Sequence, residues 1–406
     1  MRLRLLILFF LLTTYIIPLR AQRVFPQDQD STARTESALF FLDAVIVTAS
    51  RSEQPLLEVP HAITVLLDTE IQRAKAGLSL EEILRETPGV VVNNRHNLSQ
   101  GDRISIRGIG SRASFGVRGI KVMLDGIPLT MPDGQSQLNN LDLGAAGKIE
   151  VLRGPSSSLY GNASGGLIKI QSHLPANKPV FLQPHVILGE HGLRKWQARL
   201  SGGAERHGYV FNTGSLTFDG FREHAAAKIN SLSGITRHNL NQHLRLNTVF
   251  CYVDAPYLFN PSSLSKEDAR SRPEDARFFV LSQGASKRVE QVQAGATVTF
   301  EKKKSRLETT IYGVTRSLLN PIPGRIIELD RKAGGVRTVF NKRFGDNRVI
   351  LLTVGGDLEI QHDERREFEN RGVPSELVGA LHNNDLHDVR RATGESRGLG
   401  VAAFCC

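Results

Sequence analysis

The stretch that most constrains the fold is residues 149–170, IEVLRGPSSSLYGNASGGLIKI. Two apolar runs, Ile149–Arg153 and Leu167–Ile170, have the composition of β-strands. The residues between them are rich in glycine, serine and proline, which allow positive φ angles and preset bends. The stretch therefore predicts a tight connection between two strands, and on its own it predicts no function.

Length and charge narrow the class of protein. The chain has 406 residues, enough for two or three domains with a large core. Its net charge of +10 is spread along the chain, with one tight basic run at Lys302–Lys304. This scatter does not favour nucleic-acid binding, and basic groups beside a membrane or on an anion-attracting surface explain the same balance.

The amino terminus predicts export. Residues 1–22 combine a basic start at Arg2 and Arg4 with an apolar run over Leu5–Ile17, and Ala21 precedes a suitable cleavage point. The run is shorter than the roughly 20 apolar residues of a membrane-spanning helix. The three cysteines, Cys251 and the adjacent pair 405–406, form neither a disulfide framework nor a spaced metal motif.

Residues 23–54 are predicted to be a flexible arm that carries a short β-branched run, Asp43–Ser50, DAVIVTAS. Such a run can be an exposed strand that joins the sheet edge of a partner, or an ordinary first strand of the next domain.

Residues 55–173 predict one small α/β domain, with a helix from Asp68 to about Ala76. A second helix follows a capping box formed by Ser79 and Glu82. Its predicted strands are His61–Leu66, Val90–Val92, Arg103–Arg107, Ile120–Leu124 and Ile149–Leu152.

Residues 180–406 read as a series of strands separated by polar turns. Leu352–Gln361 alternates, with apolar side chains on one face and Thr353, Asp357 and Glu359 on the other, and Ala296–Phe300 alternates in the same way. This pattern is typical of a transmembrane β-barrel, although a soluble β-sandwich also alternates. The export signal and the long polar connections favour the barrel.

Three patterns that suggest enzyme or metal chemistry fail on context. Residues 108–113 match G-x-G-x-x-A after a strand, but the segment that follows is too short and too glycine-rich for a phosphate-binding helix. Ser263 and Lys266 match S-x-x-K without the companion motifs. His382 and His387 lie in an acidic loop that is better explained by solvation than by metal binding. We therefore expect no enzyme activity, no cofactor and no metal site.

Several motifs together resemble the TonB-dependent outer-membrane receptors. DAVIVTAS is similar to a TonB box, and PGVVV at 88–92, SIRGIG at 105–110 and VMLDGIP at 122–128 are similar to strand–turn signatures of the plug domain. Residues 149–170 resemble the closing segment of the plug. The resemblance, which covers residues 43–406, implies an α+β plug inside a transmembrane antiparallel β-barrel of about 22 strands. It also implies uptake of a scarce ligand, powered through TonB and its inner-membrane energising complex.

The resemblance implies site residues as well. Arg107 and Arg153 correspond to plug arginines that pair with barrel acids in the family, and Glu301, Glu308 and Glu359 lie on candidate strands. An alternative role for each arginine is to cap a strand while facing solvent. The predicted TonB contacts are Asp43, Ala44, Val45, Ile46, Val47, Thr48 and Ala49.

In such receptors, plug loops face outward and meet the ligand. The corresponding loops here are Asn93–Asp102 and Ser111–Val117, for which simple packing is an equal alternative. The candidate ligand contacts are Arg95, His96, Arg112 and Phe115.

The barrel segment is shorter than the family requires. Strands of about 9–11 residues leave room for about eight to ten of them, so we expect the N-terminal part of a barrel, truncated in residues 180–406. The combined prediction is a TonB-dependent transporter in the outer membrane of a Gram-negative bacterium, after cleavage near Ala21. Its expected partners are TonB, membrane lipid and a ferric siderophore or similar ligand, without nucleic acid. The alternatives are a passive pore or adhesin-like barrel, and an exported soluble β-rich binding protein.

Overall fold

A computed structural model of the chain describes residues 45–72, 75–93, 97–113, 116–136, 138, 141–345 and 350–372. Within these ranges no helix is long and apolar enough to cross a membrane. Some predictions concern residues outside the described ranges: the signal peptide 1–22, Asp43, Ala44, Arg95, His96, Phe115, the acidic loop around His382 and His387, and the final cysteines.

The described chain begins with a short antiparallel pair. Strand β1, Ile46–Val47, pairs with β2, Gln54–Pro55, so that residues 48–53 form a compact turn between them. A 3₁₀ turn at Leu56–Glu58 follows. We call residues 45–55 the docked arm.

The plug is a small α/β unit built on one central sheet. The sheet order is β3-β10-β11-β7-β8; β11 and β7 are parallel, and the other neighbours are antiparallel. Two small pairs, β4 with β5 and β6 with β9, flank it. The plug elements in chain order are β3 Ala62–Leu67, α1 Asp68–Gln72, α2 Glu81–Leu84, β4 Val90–Asn93, β5 Arg103–Ile106, β6 Val117–Arg118, β7 Ile120–Leu124, β8 Ile127–Pro128, β9 Gln135–Ser136, β10 Ala146–Arg153, α3 Ser157–Tyr160 and β11 Gly166–Ser172.

The stretch 149–170 forms the centre of this sheet. Alternate residues of β10 point to opposite faces, so Ile149 and Val151 enter one apolar cluster and Leu152 enters another. Each of these side chains is at most 1% exposed, and burial of such a side chain contributes about 1.5–3 kcal/mol. Gly166 begins β11 at φ +140°, and a Cβ there would lie 2.2 Å from the Leu152 carbonyl oxygen. The close pairing of β10 with β11 therefore requires glycine at this position.

The helices of the plug differ in detail from the prediction. Helix α1 is described over Asp68–Gln72, and Ala76, the predicted end, lies outside it. The predicted capping glutamate is confirmed, because the Glu82 carboxylate accepts the Ser79 N–H at 3.2 Å and those of Gly77 and Leu78 at 2.9 and 2.7 Å. Leu80, rather than Ser79, is the residue at the helix start.

The rest of the described chain forms one antiparallel sheet, which we call the wall. Among the described residues it contains nine strands in sequential order, within the predicted range of about eight to ten. Two short helices, α4 Lys266–Ser271 and α5 Phe278–Ser282, interrupt the connection between its fifth and sixth strands. The strands are β12 Phe181–Leu188, β13 Arg194–Ala204, β14 His207–Phe218, β15 Ala227–Asn239, β16 Leu244–Phe259, β17 Ser286–Lys302, β18 Ser305–Ile322, β19 Arg325–Phe344 and β20 Ile350–Glu369.

The two faces of the wall have opposite character, as the alternation predicts. On β20 the apolar side chains Val354, Leu358 and Ile360 are 52–62% exposed. Asp357 and Glu359, which alternate with them, turn to the plug. An apolar outer face with a polar inner face is the arrangement of a membrane-spanning barrel wall.

The two ends of the wall differ in the length of their connections. Residues 205–206, 240–243 and 303–304 make short turns at one end, which we call the short-turn end. Residues 219–226 and 260–285 make longer connections at the other, the long-loop end, where residues 189–193 and 323–324 also make short turns. The docked arm lies at the short-turn end, because Asn341 and Arg343, at the close of β19, bond to its main chain. In outer-membrane barrels, short turns face the periplasm and long loops face outward.

Candidate functional site

The docked arm is folded against the plug, as in the alternative of an ordinary first strand rather than an exposed, unpaired one. Val47 and Ala49 are fully buried, in the apolar cluster that also holds Ile63 and Leu152. Main-chain pairing with β2 satisfies part of the arm's backbone hydrogen-bonding groups. The described apolar residues of DAVIVTAS thus find a partner within their own chain, and Val45 and Ile46 at its outer end remain 40–43% exposed.

A fully buried carboxylate holds the middle of the arm. Glu150, in the centre of β10, accepts the main-chain N–H of Thr48 at 2.9 Å and the Thr48 hydroxyl at 3.3 Å. Lys148 pairs with Glu150 at 2.6 Å and also donates to the Ile46 carbonyl. A buried charge must be paired and hydrogen-bonded, and here the arm supplies part of that pairing.

Lys169, opposite Glu150 in the register of β11, completes this cluster. Its amino group donates to the Thr48 hydroxyl at 2.7 Å. Burial lowers the pKa of Lys169, and the nearby Glu150 charge opposes that shift. Glu150 and Lys169 are not among the site residues predicted from the sequence, although charged side chains within otherwise apolar strands signal an internal pair.

Tyr160, on α3, holds the turn of the arm. Its hydroxyl donates to the Ala49 carbonyl at 3.0 Å, and the Arg51 guanidinium lies 4.5 Å from the centre of its ring. Burial raises the pKa of Tyr160 to about 12, so the hydroxyl keeps its proton at neutral pH. The turn-rich part of residues 149–170 therefore contributes directly to arm docking.

The arm is also tied to the wall. Arg51 makes two hydrogen bonds to Asp357 on β20, and Asp357 also accepts from Arg337 Nε at 3.0 Å. Glu53 pairs with Arg306 on β18. The arm thus bridges the plug sheet and the wall, and moving it requires breaking contacts with both.

Further pairs join the plug to the wall. Lys121, on β7, contacts Glu359 at 3.1 Å, and Asp133 contacts Arg331 at 3.0 Å. Polar side chains of β13 and β15 converge on Asp142 in the plug. Breaking one side of a buried ion pair is strongly destabilising, so these contacts fix the plug within the wall.

The predicted locking arginines are not among these described pairs, and their pairing with a barrel acid stays a prediction. In the described part of the chain, Arg153 donates within the plug, to the Pro88 carbonyl at 2.9 Å, and Arg107 is exposed without an ion pair. Of the three candidate acids, Glu359 meets the plug, but through Lys121. Glu308 pairs with Arg306 on its own strand, and Glu301 is exposed. Arg153 is the last residue of β10, and Arg107 directly follows β5.

The predicted ligand-facing loops lie toward the long-loop end. Asn97 donates to Asn260 at 2.7 Å, and the Ser99 carbonyl accepts from Lys287 at the start of β17. Arg112 is exposed. Asp102 accepts the Leu80 N–H at 2.8 Å, and burial raises its pKa to about 6. The first loop is therefore packed against the wall, while Arg112 is free of such packing.

Comparison with known proteins follows the same division of the chain. A family profile described as TonB-dependent Receptor Plug Domain matches residues 55–167. A vitamin B12 transporter, BtuB of Vibrio vulnificus (strain CMCP6), is 33% identical over 129 residues, 32% of this chain and 20% of that protein. A hemin receptor of Yersinia enterocolitica is 29% identical over 143 residues, 35% of this chain and 20% of that protein. These relatives are named as a transporter and as a receptor, and neither is named as an enzyme.

Solved structures extend the likeness to the wall. The unliganded ferric citrate transporter FecA superposes with a TM-score of 0.65 at 20% identity, covering 82% of this chain and 52% of that one. The ferric yersiniabactin uptake receptor FyuA of Yersinia pestis gives 0.61 at 16% identity, covering 76% and 50%. The chain thus spans about half the length of these solved receptors, and the match establishes a plug with part of a transmembrane β-barrel around it. Residues 55–167 thus match the plug domain of TonB-dependent receptors, and the chain as a whole has the plug-and-barrel fold of its solved neighbours.

Proposed function

We propose that the protein is the outer-membrane receptor of a TonB-dependent uptake system, taking up a scarce small ligand such as a ferric siderophore or a similar iron chelate. The observation that carries the proposal is the docked arm, which lies at the short-turn end and touches plug and wall together. A pulling force applied there acts on the centre of the plug sheet through Glu150. The exposed apolar face of β20 is the surface offered to membrane lipid.

Recruitment of TonB requires the arm to leave its site. The side chains of Val47 and Ala49 are buried in the docked arm, and β1 is already paired with β2. A partner that adds a strand to residues 43–50 must replace that pairing. The docked arm is thus the resting state, and its release is the step that exposes the TonB contacts.

Release of the arm has consequences inside the receptor. It leaves the Glu150 carboxylate with Lys148 as its remaining described partner, and it leaves Lys169 without the Thr48 hydroxyl. It also frees Asp357, whose other arginine partner, Arg337, donates to the Gly126 carbonyl of the plug at 2.9 Å. Arm withdrawal therefore perturbs the same contacts that hold plug and wall together.

The ligand is expected to enter from the long-loop end, where the exposed Arg112 and the loop around Asn97 lie. Named ligands of the relatives are vitamin B12, hemin, ferric citrate and ferric yersiniabactin. An anionic iron chelate fits the basic balance of the chain.

An uptake assay separates this proposal from its alternatives. Cells that export the 406-residue chain are given ferric citrate, hemin or vitamin B12, with or without TonB. The proposal expects uptake of one ligand that requires TonB and is lost when residues 43–50 are deleted. Leu57→Ser, at a side chain that is 98% exposed beside the arm, serves as the control and should leave uptake unchanged. Uptake that persists without TonB indicates a passive pore, and absence of the protein from the outer-membrane fraction indicates a soluble binding protein.

A further inference from the structure

A cavity of about 240 Å³ lies between the docked arm, the plug sheet and the inner face of wall strands β15 to β19. The arm contributes Thr48, Arg51 and Glu53 to its lining, and the plug contributes Asp125 and Lys169. Because it borders the arm, the cavity belongs to the short-turn end, on the opposite side of the plug from the ligand-facing loops. It is therefore separate from the site where a ligand first binds.

Two arginines of this cavity form no ion pair among the described residues. Arg306, which also lines the cavity, is paired with Glu53. In contrast, Arg237 and Arg245 form no ion pair and no hydrogen bond within the described ranges, and the Nε atom of each is buried without a partner. The charge of Glu53 acts on both arginines from a distance, while its direct pair is with Arg306.

The strand register brings the two guanidinium groups together. Arg237 on β15 is opposite Asn247 on β16, and Arg245 is two residues away from Asn247 on the same face of that strand. Diagonal neighbours of this kind are within reach of long side chains. Asn247 also lines the cavity, and its buried amide oxygen has no hydrogen-bond partner. Since amide oxygen and nitrogen are assigned from their partners, this amide can equally present its N–H₂ group to the cavity.

Guanidinium groups that converge on a cavity without an ion pair of their own are suited to an anion, although the carboxylates of Glu53, Asp125 and Glu308 lie in the same lining. Guanidinium groups bind carboxylates and phosphates through paired N–H donors, and they do so most strongly when partly removed from water. We propose that Arg237 and Arg245, with Asn247, form a transit site for the carboxylate or phosphate groups of an anionic substrate. The site lies between the plug sheet and the wall at the short-turn end, where a substrate passes after it has left the outer face. This proposal rests on the proposed uptake function.

The docked arm covers this transit site. Thr48, Arg51 and Glu53 line the same cavity, so withdrawing the arm removes one side of its lining. The contacts that hold the arm, from Glu150 and Asp357, are the ones that a pull on the arm would break. Arm release therefore opens the transit site toward the short-turn end at the same moment as it engages TonB.

Titration calorimetry on the purified 406-residue chain in detergent tests the site, with citrate and inorganic phosphate as separate probes at low ionic strength. We expect one site with millimolar or tighter affinity for at least one probe, and the preferred probe identifies the anion class. The double variant R237Q/R245Q should bind at least tenfold more weakly. The double variant R237K/R245K, which keeps both charges, should retain more of the affinity. Arg194→Gln, an exposed position at the long-loop end of β13, is the control and should leave binding unchanged.

Two outcomes overturn the inference: neither anion binds the wild-type chain, or both anions bind R237Q/R245Q as tightly as the wild type while it keeps its thermal unfolding midpoint. If R237Q/R245Q has a lower thermal unfolding midpoint than the wild type, the single variants R237Q and R245Q are compared instead, and each should weaken binding by a smaller factor. The binding readout does not depend on transport. Anion binding at these arginines without TonB-dependent uptake would refute the proposed function and keep the site, whereas uptake without anion binding would refute the site alone.

Discussion

Replacing Glu150 by glutamine should loosen the docked arm without altering any residue of the arm. The wild-type carboxylate accepts the Thr48 N–H at 2.9 Å and is paired with Lys148 at 2.6 Å. Glutamine keeps an oxygen that can accept the Thr48 N–H. The free energy lost is therefore the difference between a hydrogen bond to a charged acceptor and one to a neutral acceptor. Hydrogen bonds contribute about 1.5–3 kcal/mol to charged groups and about 0.5–1.5 kcal/mol to neutral ones, a difference of about 1–2 kcal/mol.

That difference raises the population of the released arm about 5- to 30-fold, since about 1.4 kcal/mol corresponds to a factor of ten. Hydrogen exchange measured by mass spectrometry on a peptide that covers residues 45–55 reports this population directly, because the arm amides exchange when the arm opens. Exchange should be faster by the same factor in E150Q. Peptides from the wall strands, such as Ser305–Ile322, should be unchanged.

Glu58→Gln is the matched control, because Glu58 is exposed directly after the arm and forms no ion pair in the described part of the chain. It changes the net charge by the same amount as E150Q. Exchange of the arm at the wild-type rate in E150Q, with the protein still folded, would refute the argument that the buried carboxylate holds the arm.

Three other predictions, one of them with a control substitution, test separate parts of the structure. Gly166→Ala should destabilise the plug by about 2 kcal/mol or more in denaturant unfolding, since its Cβ would meet a carbonyl oxygen at 2.2 Å. Gly108→Ala, at a plug glycine where no atom lies within 4 Å, should cost about 1 kcal/mol for its positive φ alone; equal losses would contradict this reasoning. Because burial raises the folded-state pKa of Asp102 to about 6, the wild type should lose stability, at most about 3 kcal/mol, as pH rises from about 4 to above 6. Asp102→Asn should remove that part of the pH dependence in the same unfolding assay, and an unchanged profile would contradict the raised pKa. Tyr160→Phe should speed hydrogen exchange of the arm by about threefold to tenfold at any pH between 6 and 9, because a hydroxyl with a pKa of about 12 stays protonated there; an effect that vanishes within this range would contradict it.

Local pattern predicted the elements of the fold well. The alternation in Leu352–Gln361 identified which face of β20 meets the plug, because the period of two is a property of the strand itself. The two apolar runs in residues 149–170 became β10 and β11. The glycine-rich segment between the two runs ends at Gly166, the first residue of β11, where the two strands approach closely.

The interactions of the arm could not be predicted in the same way. Thr48 and Glu150 are 102 residues apart, and nothing in the sequence of DAVIVTAS indicates that it binds a carboxylate of the plug. The plug–wall pairs could not be predicted for the same reason. Lys121 and Glu359 are 238 residues apart in sequence, and the register of both sheets decides whether they meet. The resemblance identified Arg107 and Arg153 from their motifs, whereas the described wall is met by Arg51 and Lys121.

The central claim is that residues 43–50 are the TonB contact and are released from a docked state. The most direct measurement is the affinity of the C-terminal domain of TonB for the intact 406-residue chain and for Ile46→Pro, with Leu57→Pro as the control outside the box. A proline at Ile46 removes an N–H that an added strand would need. We expect the TonB domain to bind the wild type and L57P, and to bind I46P at least tenfold more weakly. Equal binding to all three chains, or no binding to any of them, would contradict it.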